Sequence, residues 1–243
     1  MKRGGKIILC KMLFMALLFS LMGQGTVLAK EVVKIRIYTD APQAQAGTFD
    51  LKKNIATLEP PAGHVEITTK DSVLTAKKVI YNQKDDLAEL SGDVVITQPD
   101  SYARAHEMQA DLSAETYILE KNVYLKQLET TEDGDDEVDA ENSPSSAKLE
   151  VWSNWMEIKD GGKNVLARGD VHLLEAEREA WANELYYDDI NETATLVGDV
   201  RIETKEGNLL TGAKVIIDLA SDEAVMFGPT YGEFRLESDT DGQ

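Results

Sequence analysis

A short phrase built around Gly-Asp-Val recurs at a fixed spacing, and this recurrence limits the possible folds more than any other feature of the chain. It occurs as Leu90–Thr97, Ala167–Leu174 and Leu196–Glu203. The spacing from one central residue to the next is 29 residues, with one step of 30 and one longer step. The central positions are Gly63, Gly92, Lys121 in place of a glycine, Gly169, Gly198 and Gly228. A constant period predicts a stacked array of supersecondary units.

The longer step, from Lys121 to Gly169, contains a segment of different composition. Residues 130–146 read TTEDGDDEVDAENSPSS, which is acidic and almost free of large apolar side chains. Such a composition is typical of a solvated, flexible segment. We predict an acidic insert at 129–148 between two β halves at 30–128 and 149–243. The period resumes in phase after the insert, which favours one architecture with a long loop over two domains, although loops of this length are unusual.

Apolar residues occupy every second position on both sides of each glycine, and the residues between them are mostly polar. This alternation predicts a strand with one buried face. The pattern passes through the glycine without a shift, so we predict one strand with the glycine pointing inward at a sharp bend. In the preceding strand the pattern shifts by one residue, which predicts a β-bulge there, and small residues beside it indicate a crowded inner corner. Each unit is then two antiparallel strands, and the chain holds about six units.

The first 29 residues are typical of a secretory signal peptide. Four basic residues precede the apolar run Met12–Met22, and Val27 and Ala29 fit the small-residue rule for cleavage. A retained membrane anchor is the alternative, but the run is shorter than the roughly 20 apolar residues of a membrane span. Cys10 is the only cysteine, so the exported chain is predicted to have neither disulfides nor cysteine metal sites.

The charge balance excludes some classes of partner. The whole chain has a formal net charge of -19, and without residues 1–29 it has 21 basic and 44 acidic residues, a net charge of -23. Nucleic-acid binding needs a basic surface, so we predict no nucleic-acid partner. Acidic side chains also keep an exported β protein soluble and disfavour pairing between strand edges.

The residues that carry catalytic or metal chemistry form no recognisable constellation. The three histidines, His64, His106 and His172, have no metal-ligand spacing, and nucleophile elbows, phosphate loops and dinucleotide fingerprints are absent from the sequence. The aspartates that follow the glycines are read as turn-favouring residues rather than acid groups or calcium ligands. We predict a protein that is not an enzyme and uses no cofactor or metal.

Two tryptophans, Trp152 and Trp181, occupy the same outward position in successive units. They either cover a neighbouring strand or form a protein contact surface.

The repeated strand pattern resembles that of a known family. The segments Ala76–Tyr81 (AKKVIY) and Ala88–Gln98 (AELSGDVVITQ), following an export signal, are similar to the units of the LptA/OstA-like proteins of lipopolysaccharide transport. The resemblance extends over roughly residues 65 to 228. It implies an all-β fold, a twisted open β-jelly roll (β-taco), in the periplasm. It also implies that an apolar groove holds the acyl chains of lipopolysaccharide or a similar acylated glycolipid.

The family resemblance further implies partners and a binding surface. The partners are an inner-membrane exporter and an outer-membrane receiver with the same fold, together with a possible head-to-tail homo-oligomer. The residues expected to line the lipid-binding groove are Val94, Ile96, Leu119, Val123, Leu125, Val171, Leu173, Leu196, Val200 and Ile202. Two alternatives stay open. One is a structural envelope β-solenoid that binds proteins by its strand edges, and the other is the membrane-anchored LptC-like partner of the same system.

Overall fold

The computed structural model describes residues 33–41, 43–128, 147–175, 177–221 and 223–235. The predicted signal peptide and nearly all of the predicted acidic insert lie outside these ranges. Within them the chain is all-β, as predicted, with one short 3₁₀ turn at Asp160–Gly162. The strands are β1 Lys34–Thr39, β2 Gly47–Asp50, β3 Ile55–Leu58, β4 Gly63–Thr68, β5 Val73–Ala76, β6 Lys78–Asn82, β7 Leu87–Gln98, β8 Ser101–Asp111, β9 Thr116–Leu128, β10 Ala147–Lys159, β11 Asn164–Glu175, β12 Arg178–Asp188, β13 Thr193–Thr204, β14 Leu209–Asp218, β15 Glu223–Phe227 and β16 Tyr231–Glu233.

These strands form one antiparallel sheet. Strands β7 to β14 are long and pair in sequence order, and β9 pairs directly with β10 on either side of the insert. At each end the sheet divides into short strands, because β5 and β6 pair with opposite halves of β7, and β15 and β16 pair with opposite halves of β14. We call the half that contains β1, β4, β5 and β16 the first wall, and the half that contains β2, β3, β6 and β15 the second wall.

Every second long strand, from β7 to β13, changes from one wall to the other at a β-bulge. In β7, Gly92 and Asp93 together lie opposite His106 of β8, since Ser91 pairs with Glu107 and Val94 pairs with Ala105. The same register shift occurs in β9, β11 and β13. One extra residue bends and twists a strand, which is how the sheet folds over.

The sequence prediction placed this bulge wrongly. The extra residue lies in the glycine-containing strand, not in the strand before it, and the glycine does not point inward. A Cβ added to Gly92 would lie 3.1 Å from the side chain of Lys77, and that side chain is 65% exposed. The glycine is needed because φ is +76° at Gly92, a left-handed conformation that costs other residues energy.

The inner faces of both walls share one apolar core. Every second residue of the long strands is buried in it, as the alternation predicts, including the small residues Ala105 and Ala182 beside the bends. A separate small cluster, Tyr102 and Leu128 with Val95 and Tyr124 packed against them, lies on the outer face of the first wall. The core therefore lies between the two walls, along the whole stack of strands.

The turns at the free ends of the strands form two rims. The first rim, at the edge of the first wall, includes residues 69–72, 98–101, 175 and 177–178, and the second rim includes 111–116, 159–164 and 188–193. Backbone hydrogen bonds link successive turns along a rim, such as Leu128 N to Asp100 O at 2.9 Å and Asp189 N to Lys163 O at 2.8 Å. Neighbouring turns within the described residues are thus tied to one another along each rim.

Candidate functional site

The ten residues predicted to line a groove all lie in the apolar core between the walls. Their exposed fractions run from 0% for Val94, Leu119 and Leu196 to 6% for Leu125. Leu119 and Leu196 belong to the second wall, and the other eight belong to the first wall. The structure thus brings all ten together on one apolar inner surface.

The predicted set of groove residues included only two residues of the second wall, Leu119 and Leu196, and left out others that are buried just as deeply. Leu90, Met108, Met156 and Leu185 are inward residues of that wall with exposed fractions of 2% or less. Their alternation in the sequence is as clear as that of the first wall. The inner surface thus consists of methyl, methylene and thioether groups, which pack on one another and bury apolar area away from water.

A small pocket of about 80 Å³ lies where the two rims face each other. We call it the seam pocket, and the line along which the rims meet is the seam. The floor is apolar and comes from both walls, and the mouth is polar. The floor residues are Leu125, Leu149, Val151, Ile158, Val165 and Leu185. The mouth residues are Asp100, Ser101, Gln127, Gly162, Lys163, Tyr187 and Asp189.

Buried polar side chains connect the rims beside this pocket. The hydroxyls of Ser72 and Tyr117, from the first and second walls, are 3.1 Å apart. Gln98 Nε2 donates to Ser72 Oγ at 3.2 Å, and Ser101 Oγ donates to Gln98 Oε1 at 3.1 Å. We call these four side chains the seam network. Since each is at most 8% exposed, the hydrogen bonds replace contacts that water would otherwise provide.

A second link crosses the mouth of the pocket. Tyr187 donates a hydrogen bond of 2.8 Å to Asp189 Oδ1 on its own rim, and its hydroxyl also interacts with Gln127 of the first wall. Burial, followed by the hydrogen bond to Asp189, raises the pKa of Tyr187 above its ordinary value of 10.0. Tyr187 is therefore a neutral hydroxyl at the mouth, next to the ammonium group of Lys163 and the carboxylates of Asp100 and Asp189.

The outer face of the first wall carries a row of stacked rings. Trp152 and Trp181 point outward, as predicted, and His172 lies between them with ring centroids 4.9 and 5.3 Å away. Tyr124 continues the row at 5.2 Å from Trp152, and Arg201 lies over the Trp181 ring. Rings that stack on one another across strands stabilise the sheet.

The described ranges contain neither a clustered metal site nor a membrane-spanning helix. No group of three or more His, Cys, Asp or Glu side chains is placed there to hold a metal ion. Across the same residues, no helix has the length and hydrophobicity that a membrane span requires. The arrangement that the structure offers for function is the two-walled apolar interior with its polar seam.

The amino-acid sequence matches the model of a known protein family. The model of the family described as LptA/(LptD N-terminal domain) LPS transport protein matches residues 41–144 and 83–223, which together include most of the chain. The chain belongs to this family. The two matches overlap, as is expected when a repeat is aligned at two positions along one array. Members of the family are lipopolysaccharide transport proteins, in agreement with the resemblance seen in the repeated units.

The crystal structure of LptH, the LptA homologous periplasmic component of the lipopolysaccharide transport device from Pseudomonas aeruginosa, is 14% identical in sequence. The alignment covers 68% of this chain and 95% of LptH, with a TM-score of 0.29. No curated protein matches the chain.

Proposed function

We propose that this member of the family binds lipopolysaccharide, or a similar acylated glycolipid, by its acyl chains between the two walls, and carries it across the periplasm. The observation that supports this most directly is the apolar inner surface shared by both walls. Burial of each methylene contributes about 0.8 kcal/mol, so an acyl chain of on the order of a dozen carbons is held without any charged contact. The polar part of the lipid stays outside, at the rims.

The ends of the sheet support a bridging role between an inner-membrane exporter and an outer-membrane receiver of the same fold. Strand β1 pairs with β4 alone and β15 with β14 alone within the described residues, so each has an edge available for pairing. Large apolar side chains are exposed at both ends, including Phe49 at 48% and Val225 at 54%. Edges of this kind pair with other strands, and end-to-end pairing would align the interiors of successive molecules.

Burial of the inner surface also favours a second candidate function. The interior is well covered, with all ten predicted groove residues at most 6% exposed. A permanently packed interior would make the chain a structural envelope protein that binds other proteins by its strand edges. The two functions differ in whether a lipid ever reaches the inner surface.

Two neighbouring leucines of β11 provide a matched test. Leu173 is inward and 4% exposed, whereas Leu174 is outward and 39% exposed. We expect photo-reactive benzoylphenylalanine at position 173, and at Leu125 in the seam pocket, to crosslink to lipopolysaccharide added to the purified protein. The same amino acid at position 174 should give little product, measured by gel shift and immunodetection of the lipid.

The control against misfolding is the circular dichroism spectrum and melting temperature of each variant. Crosslinking at position 174 equal to that at 173 would indicate adsorption on the outside of the protein. Folded variants with no crosslink at 125 or 173 would favour the structural envelope protein.

A further inference from the structure

We infer that the seam pocket is a lateral port, through which an acyl chain of an amphiphilic lipid enters and leaves the interior when the rims separate. The inference rests on the proposed function, and it specifies the route to the same interior site. The inner surface is closed to solvent. Floor residues of the port such as Val151 and Leu185 are 1% and 0% exposed, so a chain reaches them only if the protein opens along some line.

The seam is the line along which opening disturbs the backbone least. On the side of the bends, each long strand continues from one wall into the other and is paired with its neighbours in both walls. Within each rim, backbone hydrogen bonds join neighbouring described turns, such as Lys205 N to Glu177 O and Leu219 N to Glu192 O. Across the seam, Ser72 contacts Tyr117 and Gln127 contacts Tyr187 through their side chains. Separating the rims breaks side-chain contacts and leaves the strand ladders intact.

The bends are suited to act as hinges for this motion. Opening the rims requires a change of angle at the bulges, where the ladder is already interrupted between Arg168 and Val171 and between Val197 and Val200. Hinge motions concentrate in a few residues that absorb a backbone rotation while the elements on either side stay rigid. The row of bulges across β7, β9, β11 and β13 therefore opposes the seam as a hinge line.

The port has the polarity that an acylated lipid requires. Its floor is apolar and its mouth holds hydrogen-bond donors and acceptors, including the ammonium group of Lys163 and the carboxylates of Asp100 and Asp189. An acyl chain that enters contacts the floor, and the polar group that joins the chain to the rest of the lipid is left at the mouth. Hydrogen bonds lost across the seam are replaced there by bonds to the lipid or to water.

The position of the port separates it from the ends of the sheet. Its walls come from β8 to β12 and the adjoining turns, in the middle of the stack. A route through the ends would require free ends, and these are the surfaces proposed to pair with other proteins. A lateral port remains available when both ends are occupied.

A reversible lock across the seam tests the inference. In the full-length protein with Cys10→Ser, the substitutions Asp100→Cys and Lys163→Cys place one thiol on each rim at the mouth. A flexible bis-maleimide with a reducible disulfide in its spacer joins them, and mass spectrometry verifies the link. We expect association of fluorescently labelled lipopolysaccharide to slow by on the order of tenfold or more, because the conformational step that precedes binding is blocked. Reduction of the spacer should restore the original rate.

The matched control carries the same chemistry on one rim. Glu177→Cys and Lys205→Cys lie on neighbouring turns of the first rim, which share a backbone hydrogen bond, and neither residue lines the seam pocket, so linking them leaves the seam free and should leave association unchanged. Equal association for locked and reduced Asp100–Lys163 protein would overturn the lateral port and indicate access through the ends. Absence of binding to the folded protein without the cysteine substitutions at the mouth would overturn the proposed function itself.

Discussion

Two successive residues at each bend have a left-handed backbone conformation. Gly198 and Asp199 have φ values of +80° and +49°, so two successive residues are left-handed. Asp is among the residues that tolerate this conformation, and Gly adopts it without penalty. Lys121 and Asn122 hold the same pair of conformations, at +67° and +57°, in the unit that lacks the glycine. The recurrent Gly-Asp pair in the sequence is therefore a signal for the bend.

Replacement of Gly198 by alanine should destabilise the protein. The left-handed backbone costs an alanine about 1–2 kcal/mol, and its Cβ would lie 2.5 Å from Nδ2 of Asn183. We expect the free energy of unfolding in urea to fall by at least that amount. The matched control is Gly212→Ala in β14, where the nearest atom to an added Cβ is 3.5 Å away. That change should be neutral or stabilising by up to about 1 kcal/mol. Equal losses in both variants would contradict the argument.

The turns of the second rim are stabilised by aspartates at the strand ends. Asp111 Oδ1 accepts hydrogen bonds from the Ser113 hydroxyl and from the backbone N–H groups of Ser113 and Ala114. Asp188 and Asp218 hold equivalent positions in later units and accept backbone N–H groups of their own turns. Hydrogen bonds to the ionised form, chiefly from the Ser113 hydroxyl in Asp111, lower the pKa of each carboxyl below its ordinary value of 3.8.

These lowered pKa values predict an acid-sensitive rim. A carboxyl whose pKa is lower in the folded state stabilises the protein above its unfolded pKa, and the stabilisation disappears as the pH falls through the folded pKa. Stability should therefore decline from about pH 4 downward. The triple variant Asp111→Asn, Asp188→Asn, Asp218→Asn keeps an acceptor oxygen but cannot titrate, so its unfolding free energy should depend less steeply on pH in this range.

Alanine at the same three positions is the control for the acid prediction. It removes the acceptor as well as the charge and should lower the free energy of unfolding at neutral pH too. An asparagine variant with the same pH dependence as the unmodified protein, in denaturant titrations at a series of pH values, would contradict the assignment.

The strands and their buried faces could be predicted from the sequence because a strand repeats every two residues and the core requires apolar side chains. The bulge was assigned to the wrong strand, since alternation counts residues along one strand and does not show which neighbour carries the extra residue. The seam was missed because Ser72 and Tyr117 are 45 residues apart. One signal was present: Gln98 and Gln127 hold inward positions at strand ends, where a polar side chain needs a partner from the opposite wall.

At the scale of the whole molecule, the features that matter for assembly lie at the two ends of the sheet. At one end, Tyr38 of β1 and Leu51 are exposed at 42% and 80%, and at the other end, Phe227 of β15 and Tyr231 of β16 are exposed at 46% and 55%. Exposed apolar side chains beside available strand edges favour pairing with another sheet. The negative net charge of -19 opposes association at long range, so pairing should strengthen as salt screens the charge.

A lysine in the edge strand tests this end-to-end pairing. Val225 lies in the middle of β15, points outward and is 54% exposed, so Val225→Lys adds a charge to the edge without emptying the core. We expect the weight-average sedimentation coefficient of the variant to stay at the monomer value over a concentration range in which the unmodified protein associates.

Ile190→Lys is the control, because Ile190 is 71% exposed but lies in a turn of the second rim, away from both ends. If both lysines abolish association, charge alone is responsible, and if neither does, the sheet ends do not form the contact. Loss of association in the Val225 variant alone, with lipopolysaccharide still crosslinked at position 173, would show that lipid binding belongs to the single molecule and that only its transfer requires the ends.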